Sequence, residues 1–188
     1  MSVTALRRYV ERYLQNELLA VQNSLRVNEL NNLSIYEKAT IYKYTNDGYE
    51  SLNENLRATK GINNNLYGTF LEQTLKKLRN YVGVVYRGVF LYPDEIQRYS
   101  SALSDNVLIN EYSFLSTSSM VSIANQVPGM NCLFVIFSKT GKEIEKIAKF
   151  GLHNPPNEHE VLFPPNIEFK VLGITTEPSY TLITLEEV

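Results

Sequence analysis

The chain has one cysteine, no tryptophan and no long apolar run. With Cys132 alone an internal disulfide is impossible, which fits folding in a reducing compartment, although a disulfide-free secreted domain stays open. No stretch approaches the ~20 apolar residues of a membrane-spanning helix. The segment Met1 to Ala20 is interrupted by Arg7, Arg8, Glu11, Arg12 and Glu17, so it lacks the apolar centre of a signal peptide. Charge of one sign is also missing. Eighteen Lys and Arg stand against 20 Asp and Glu, a formal net charge of −2 with a pI near 5.8. That balance argues against a general nucleic-acid binder or a ligand of acidic membranes. What is present, 188 residues that are 44% hydrophobic and 20% charged, is enough for one compact domain with a real core.

The first third reads as helix. Leu6, Val10, Leu14, Leu18, Val21 and Leu25 recur at spacings of three and four, predicting an amphipathic helix from residue 4 to about 30. Asn31-Asn32 ends it, and Ser34 with Glu37 predicts a capping box on the next helix. A turn is predicted at Asn46-Asp47-Gly48 between two helices. A third helical stretch from about Asn65 to Asn80 carries Leu66, Phe70, Leu71, Leu75 and Leu78. Up to residue 80 there is no convincing strand.

Beyond that the period changes from helical to alternating. Val82–Gly88 is β-branched and glycine-bounded and predicts the first strand. Pro93 starts a helix to about Leu103. Strands are predicted at Tyr112–Thr117, Cys132–Phe137, Glu160–Phe163, Ile167–Ile174 and Tyr180–Leu185, with a helical turn from Met120 to Gln126. Helices followed by strands predict an α+β fold with a mostly antiparallel, two-sheet core. Nothing in the sequence calls for a second domain: residues 1–33 read as an N-terminal helix and residues 34–188 as the core.

Chemistry concentrates at strand ends. Glu158-His159-Glu160 opens the apolar run Val161-Leu162-Phe163. In a strand, side chains two apart share a face, so the two carboxylates are predicted to project together, each opposing ionisation of the other. Taken alone the pair reads as a solvated strand start, since exposed glutamate pairs are common. Arg87 closes the Val82–Gly88 strand and can offer a planar fork to phosphate, while Gly88 admits close approach of a ligand to the backbone. Alone, such an arginine is an ordinary surface residue. Ser116-Thr117-Ser118 ends another strand, where hydroxyls can brace a carboxylate or cap the following helix.

These pieces in this order carry a resemblance. Val85-Tyr86-Arg87-Gly88, Phe114-Leu115-Ser116-Thr117-Ser118 and Glu158-His159-Glu160-Val161-Leu162-Phe163-Pro164-Pro165, preceded by Tyr44-Thr45 with Tyr49, Asn53, Leu56 and Arg57, resemble the motifs of the arginine–serine–glutamate mono-ADP-ribosyltransferases. That class spans bacterial ADP-ribosylating toxins and arginine-specific ecto-enzymes. The resemblance covers most of the chain and implies two packed β-sheets with an NAD cleft between them, flanked by helices. It implies that Arg87 holds the NAD phosphates, that the backbone of Gly88 meets the nicotinamide amide, and that Ser116 braces the catalytic Glu160, with Thr117 and Ser118 shaping that wall. It further implies that Glu158 tunes the acceptor toward arginine, and that Tyr44, Asn53 and Arg57 lie along the adenosine and phosphate side.

The resemblance implies NAD as cosubstrate, no metal, and a protein with a target arginine as partner. With the charge balance, a monomer acting without nucleic acid or membrane is expected, and the resemblance implies a bacterial toxin or effector secreted or injected into a target-cell cytosol. The paired cysteines of the ecto-enzymes are absent. An NAD glycohydrolase, or a non-catalytic NAD- or protein-binding module of the same fold, are the alternative readings. Two departures stand out. The phenylalanine that covers nicotinamide in an Ala-x-x-Phe pattern is replaced at Val127, three residues after Ala124. The aromatic that touches the protein substrate five or six residues before the catalytic glutamate is replaced by Pro155 and Asn154, leaving His153 and Phe150 as the nearest candidates.

Overall fold

A computed structural model describes residues 3–188; Met1 and Ser2, the head of the segment read against a signal peptide, lie outside the described residues. The chain divides into two compact units, Met1–Arg79 with Lys142–Glu160, and Asn80–Gly141 with Val161–Val188.

The first unit is helical. The long N-terminal helix predicted from the leucine spacing is two, α1 (Val3–Tyr13) and α2 (Gln15–Gln22), joined at Leu14. Leu14 is buried and has a non-helical backbone (φ −128°, ψ 36°), yet Leu14 N still donates to Val10 O and Leu18 N to Leu14 O, both at 2.9 Å. The hydrogen-bond ladder survives the bend, so the apolar period that predicted one helix persists through it. A 3₁₀ turn, Leu25–Asn28, follows. Helix α3 (Ile35–Lys43) starts with the predicted capping box: Ser34 Oγ accepts from Glu37 N and the Glu37 carboxylate accepts from Ser34 N at 2.8 Å.

Between α3 and α4 (Tyr49–Ala58) the predicted turn is instead a π-helical turn, Tyr44–Gly48, so the helix runs on with one wide turn. Gly48 is required there: a Cβ would stand 2.9 Å from both the Lys43 carbonyl and the Tyr67 hydroxyl. Helix α5 (Leu66–Leu75) is capped by Asn65, whose side chain accepts from Gly68 N at 2.8 Å. Val10, Val21, Ile41, Leu52, Leu56, Leu71, Ile144 and Ile147 are among the fully buried apolar residues of this unit.

The second unit holds the sheet: β1 (Tyr81–Val89), β2 (Leu108–Glu111), β3 (Leu115–Ser118), β4 (Cys132–Glu143), β5 (Glu160–Phe163), β6 (Ile167–Thr176) and β7 (Thr181–Glu187). The strand order is β1-β3-β5-β4-β7-β6-β2, with β1 also paired to β4. The two expected sheets are therefore hydrogen-bonded into one set through β4. Pairing is antiparallel for β1–β3, β1–β4, β2–β6 and β6–β7, and parallel for β4–β7. The predicted strand at Tyr112–Thr117 begins three residues later, and β2 went unread because Asn110 and Glu111 break its alternation. It forms by pairing along β6, Ile109 opposite Phe169. Helix α6 (Pro93–Asp105) outruns its predicted end and stops at Asn106, which takes the left-handed conformation (φ 52°) that asparagine tolerates. Helix α7 (Val121–Ala124) is a single turn. Val85, Phe134, Ile136, Val161, Phe163 and Ile183 lie at the centre of the sheet's core.

Glu187 fastens the end of β7. Its side chain is fully buried and accepts from Lys139 N, Thr140 N and the Thr140 hydroxyl on β4. An amide in its place turns half of that acceptor surface into donor facing N–H groups. Glu187→Gln is expected to lower stability by about 1.5–3 kcal/mol, the worth of a charge-assisted hydrogen bond. A urea midpoint that does not move would remove this anchoring role.

Candidate active site

The sheet unit brings Arg87, Gly88 and the Ser-Thr-Ser segment together. Arg87 is half-buried near the end of β1, flanked by β4 in register with Phe134, and its Nη1 donates to the Ser116 carbonyl at 2.6 Å. The guanidinium is thus oriented by the backbone of β3, leaving its other N–H groups for an anion. Tyr86 pairs with Ser118 across β1 and β3, which fixes the register of the two motifs.

Gly88 has a structural reason of its own. A Cβ there would sit 2.1 Å from the Ala124 carbonyl and 2.9 Å from the Met130 sulfur, so the absent side chain admits α7 and its following loop. Close approach is indeed what this glycine permits, but the approaching group in the structure is backbone.

The three hydroxyl residues divide their work. Thr117 is buried and donates at 2.6 Å to the carbonyl of Val161, the residue after Glu160 on β5. Ser118 Oγ accepts from Met120 N at 3.1 Å just before α7, a local serine turn two residues long rather than a helix cap. Ser116 is half-buried and gives its carbonyl to Arg87.

The helical unit carries the carboxylates. Glu160 is 4% exposed and its carbonyl accepts from Ile144 N at 3.0 Å. The period-two argument for Glu158 and Glu160 does not hold, because β5 begins only at Glu160 and His159 has a left-handed backbone, φ 48°. The two glutamates differ in setting instead: Glu160 is buried and Glu158 is exposed. Partial loss of water around the Glu158 carboxyl pushes its pKa above the ordinary glutamate value. His159 turns to Glu145, Nδ1 to Oε2 2.9 Å, and its N–H donates to the Asn157 side chain.

The loop ahead of the pair is tied down. Leu152 N donates to Glu145 O at 3.0 Å, Glu158 N to Phe150 O at 3.2 Å, and a Cβ on Gly151 would lie 2.0 Å from Glu145 O. His153 faces Glu29 at 3.0 Å, its side chain 13% exposed, and Phe150 lies beneath Lys149. Both of these nearest candidates are half-buried and held by other partners. Leu152, 51% exposed, is the apolar residue that projects from the loop. The sequence carries no mark of this, since a lone leucine in a Gly/Asn/Pro-rich loop has no periodic partner.

Tyr44 and Asn53 are buried and bonded to each other, Asn53 Nδ2 donating to the Tyr44 hydroxyl at 3.1 Å, with Arg57 exposed one turn further along α4. Among the described residues no group of three or more His, Cys, Asp or Glu could hold a metal ion. Burial pushes the Cys132 thiol up to about 12, far from the range of a nucleophilic thiolate.

This architecture is that of the ADP-ribosyltransferases. The solved structure of HopU1 from Pseudomonas syringae pv. Tomato DC3000 superposes with a TM-score of 0.72 at 21% identity, covering 93% of this chain and 87% of that one. Vis of Vibrio splendidus, solved in complex with agmatine, gives 0.65 at 22% identity over all of this chain and 86% of that one. The family model for the ADP-ribosyltransferase exoenzyme matches residues 20–187, and the chain belongs to that family. In sequence it is 31% identical over 142 residues to the putative NAD(+)–arginine ADP-ribosyltransferase Mav of Mycobacterium avium (strain 104), and 27% identical over 168 residues to Vis, also named a putative arginine-specific enzyme. Those matches cover 74% and 81% of this chain but 16% and 64% of the relatives.

Proposed function

We propose that residues 1–188 form one catalytic domain that transfers ADP-ribose from NAD to an arginine of a protein, releasing nicotinamide. The observation that supports it most is the Glu158-His159-Glu160 sequence at the start of β5 in a chain whose relatives are named for arginine transfer. Breaking the bond between ribose C1′ and the nicotinamide nitrogen develops positive charge on the ribose, as in glycoside hydrolysis. Glu160 is assigned to stabilise that charge, with Ser116 bracing it. Glu158 is assigned to pair with the incoming guanidinium and take the proton it loses as the new C–N bond forms. Arg87 and Gly88 bind the phosphates and the nicotinamide amide, Thr117 and Ser118 shape the adjoining wall, and Tyr44, Asn53 and Arg57 serve the adenosine and phosphate side.

Among the described residues no helix is long and apolar enough to cross a membrane. The related Vis is called a toxin, and we assign this chain the same kind of role: a secreted or injected bacterial effector that acts as a monomer on a protein of the target-cell cytosol, without nucleic acid or membrane. Incubation with labelled NAD and a cell lysate, followed by mapping of the modified side chain, tests the reading. Label on arginine supports it; NAD turnover with no labelled protein points to a glycohydrolase, and no turnover to a binding module.

Arg87→Lys tests the donor side. A lysine ammonium reproduces neither the fork toward phosphate nor the bond to Ser116 O in the same geometry. Affinity for NAD is expected to fall about ten- to a hundredfold, the loss of a charge-assisted hydrogen bond. A dissociation constant equal to that of the wild type would take Arg87 out of the phosphate role.

A further inference from the structure

Glu158 precedes its strand, so something other than the sheet must hold it. Its N–H hangs from the Phe150 carbonyl at 3.2 Å, and the segment before Phe150 is gripped from two directions. From the 3₁₀ turn Leu25–Asn28, the buried guanidinium of Arg26 donates to the carbonyls of Ile147 (3.1 Å), Ala148 (2.9 Å) and Lys149 (3.1 Å). From the π-helical turn Tyr44–Gly48, Thr45 Oγ1 accepts from Lys149 N at 2.8 Å and Asn46 Oδ1 accepts from Lys149 Nζ at 2.6 Å.

The Thr45 hydroxyl is itself fixed, since it donates back to the Tyr42 carbonyl at 3.1 Å. A backbone amide and a side-chain ammonium of one residue thus end on two adjacent side chains of a rare helical form. Such wide turns occur frequently at functional sites. Tyr49, the first residue of α4, follows the same turn. Burial first, then Glu50, then the charge of Glu158 hold its proton more tightly than usual.

We propose that Thr45 and Asn46 are positioning residues for Glu158: acting through Lys149 and Phe150, they fix the acceptor-side carboxylate and thereby set how ADP-ribose divides between a guanidinium and water. The proposal rests on the assignment of Glu158 to the acceptor. It gives Thr45 and Asn46 a task separate from donor binding, because neither is assigned to NAD, whereas Tyr44 at the head of the same turn is.

Thr45→Val keeps the branched shape and removes the acceptor for Lys149 N. The ratio of agmatine ADP-ribosylation to NAD hydrolysis is expected to fall about three- to tenfold, the loss of one neutral hydrogen bond. The KM for agmatine should rise while the KM for NAD and the hydrolysis rate stay within about twofold. Thr45→Ser, which keeps the hydroxyl, should restore the ratio. Asn46→Ala is measured alongside and carries the test alone if Thr45→Val does not fold. An unchanged ratio in the folded variants, or equal loss of both activities, overturns the proposal. Glu158→Gln in the same assays separates the layers. If it shifts the ratio and the turn variants do not, only the positioning role fails. If it does not shift the ratio either, the acceptor assignment fails and the proposal with it.

Discussion

Glu160→Gln is expected to abolish both transfer to arginine and NAD hydrolysis, with at least a hundredfold loss in each and an unchanged fold. The carboxylate is buried, and a charge held away from water interacts far more strongly with a developing cation than one in bulk solvent. A glutamine of the same shape cannot supply that charge. Loss of one such electrostatic contact costs about 10²–10³ in rate. The two activities fall together because both pass through the same ribosyl cation, whatever nucleophile ends the reaction. Thermal unfolding and NAD turnover measured on one preparation decide the matter. Turnover near that of the wild type in a folded Glu160→Gln protein would take Glu160 out of the chemistry.

Glu158→Gln is expected to part the two activities. Glu158 is exposed where Glu160 is buried, which puts it within reach of a nucleophile arriving from solvent. An amide keeps the hydrogen bonding but loses the charge that pairs with a guanidinium. Transfer to agmatine should collapse while slow hydrolysis continues, since water needs no clamp. Proportional loss of both would make Glu158 a donor-site or structural residue, and full transfer would end its acceptor role.

The sign of its pKa shift adds a pH signature. Partial shielding of the otherwise exposed side chain from water raises the Glu158 carboxyl above its unfolded value. Its favourable contribution to stability is therefore present at low pH and is lost as pH rises through the folded pKa. At neutral pH the ionised side chain is held at some cost, so Glu158→Gln should melt no lower than the wild type. For the same reason transfer should fade on the acid side at a higher pH than an ordinary glutamate would give, while the Glu158→Gln protein should lack that limb.

Much of the molecule was legible because local chemistry dictates it. The capping box at Ser34 and Glu37, the strand around Arg87 and the apolar run Cys132–Phe137 rest on short-range preferences that tertiary contacts reinforce. Features that depend on a partner far along the chain were not legible. Strand β2 exists because β6 offers it hydrogen bonds, and the bend at Leu14 leaves the spacing of buried leucines intact.

The candidate site divides the same way. Residue types and their order, Arg87, then Ser116-Thr117-Ser118, then Glu158 and Glu160, follow from the sequence, because the resemblance depends on those types in that order. Tertiary structure alone decided that Gly88 is needed for the passage of Ala124, that Leu152 projects from the loop ahead of the carboxylates, and that Glu158 stands outside its strand. The left-handed turn at His159 and the grip on Lys149 set that last outcome. Both depend on groups more than ten residues away, Glu145 for His159 and Thr45 for Lys149, and no local pattern of apolar and polar residues can encode them.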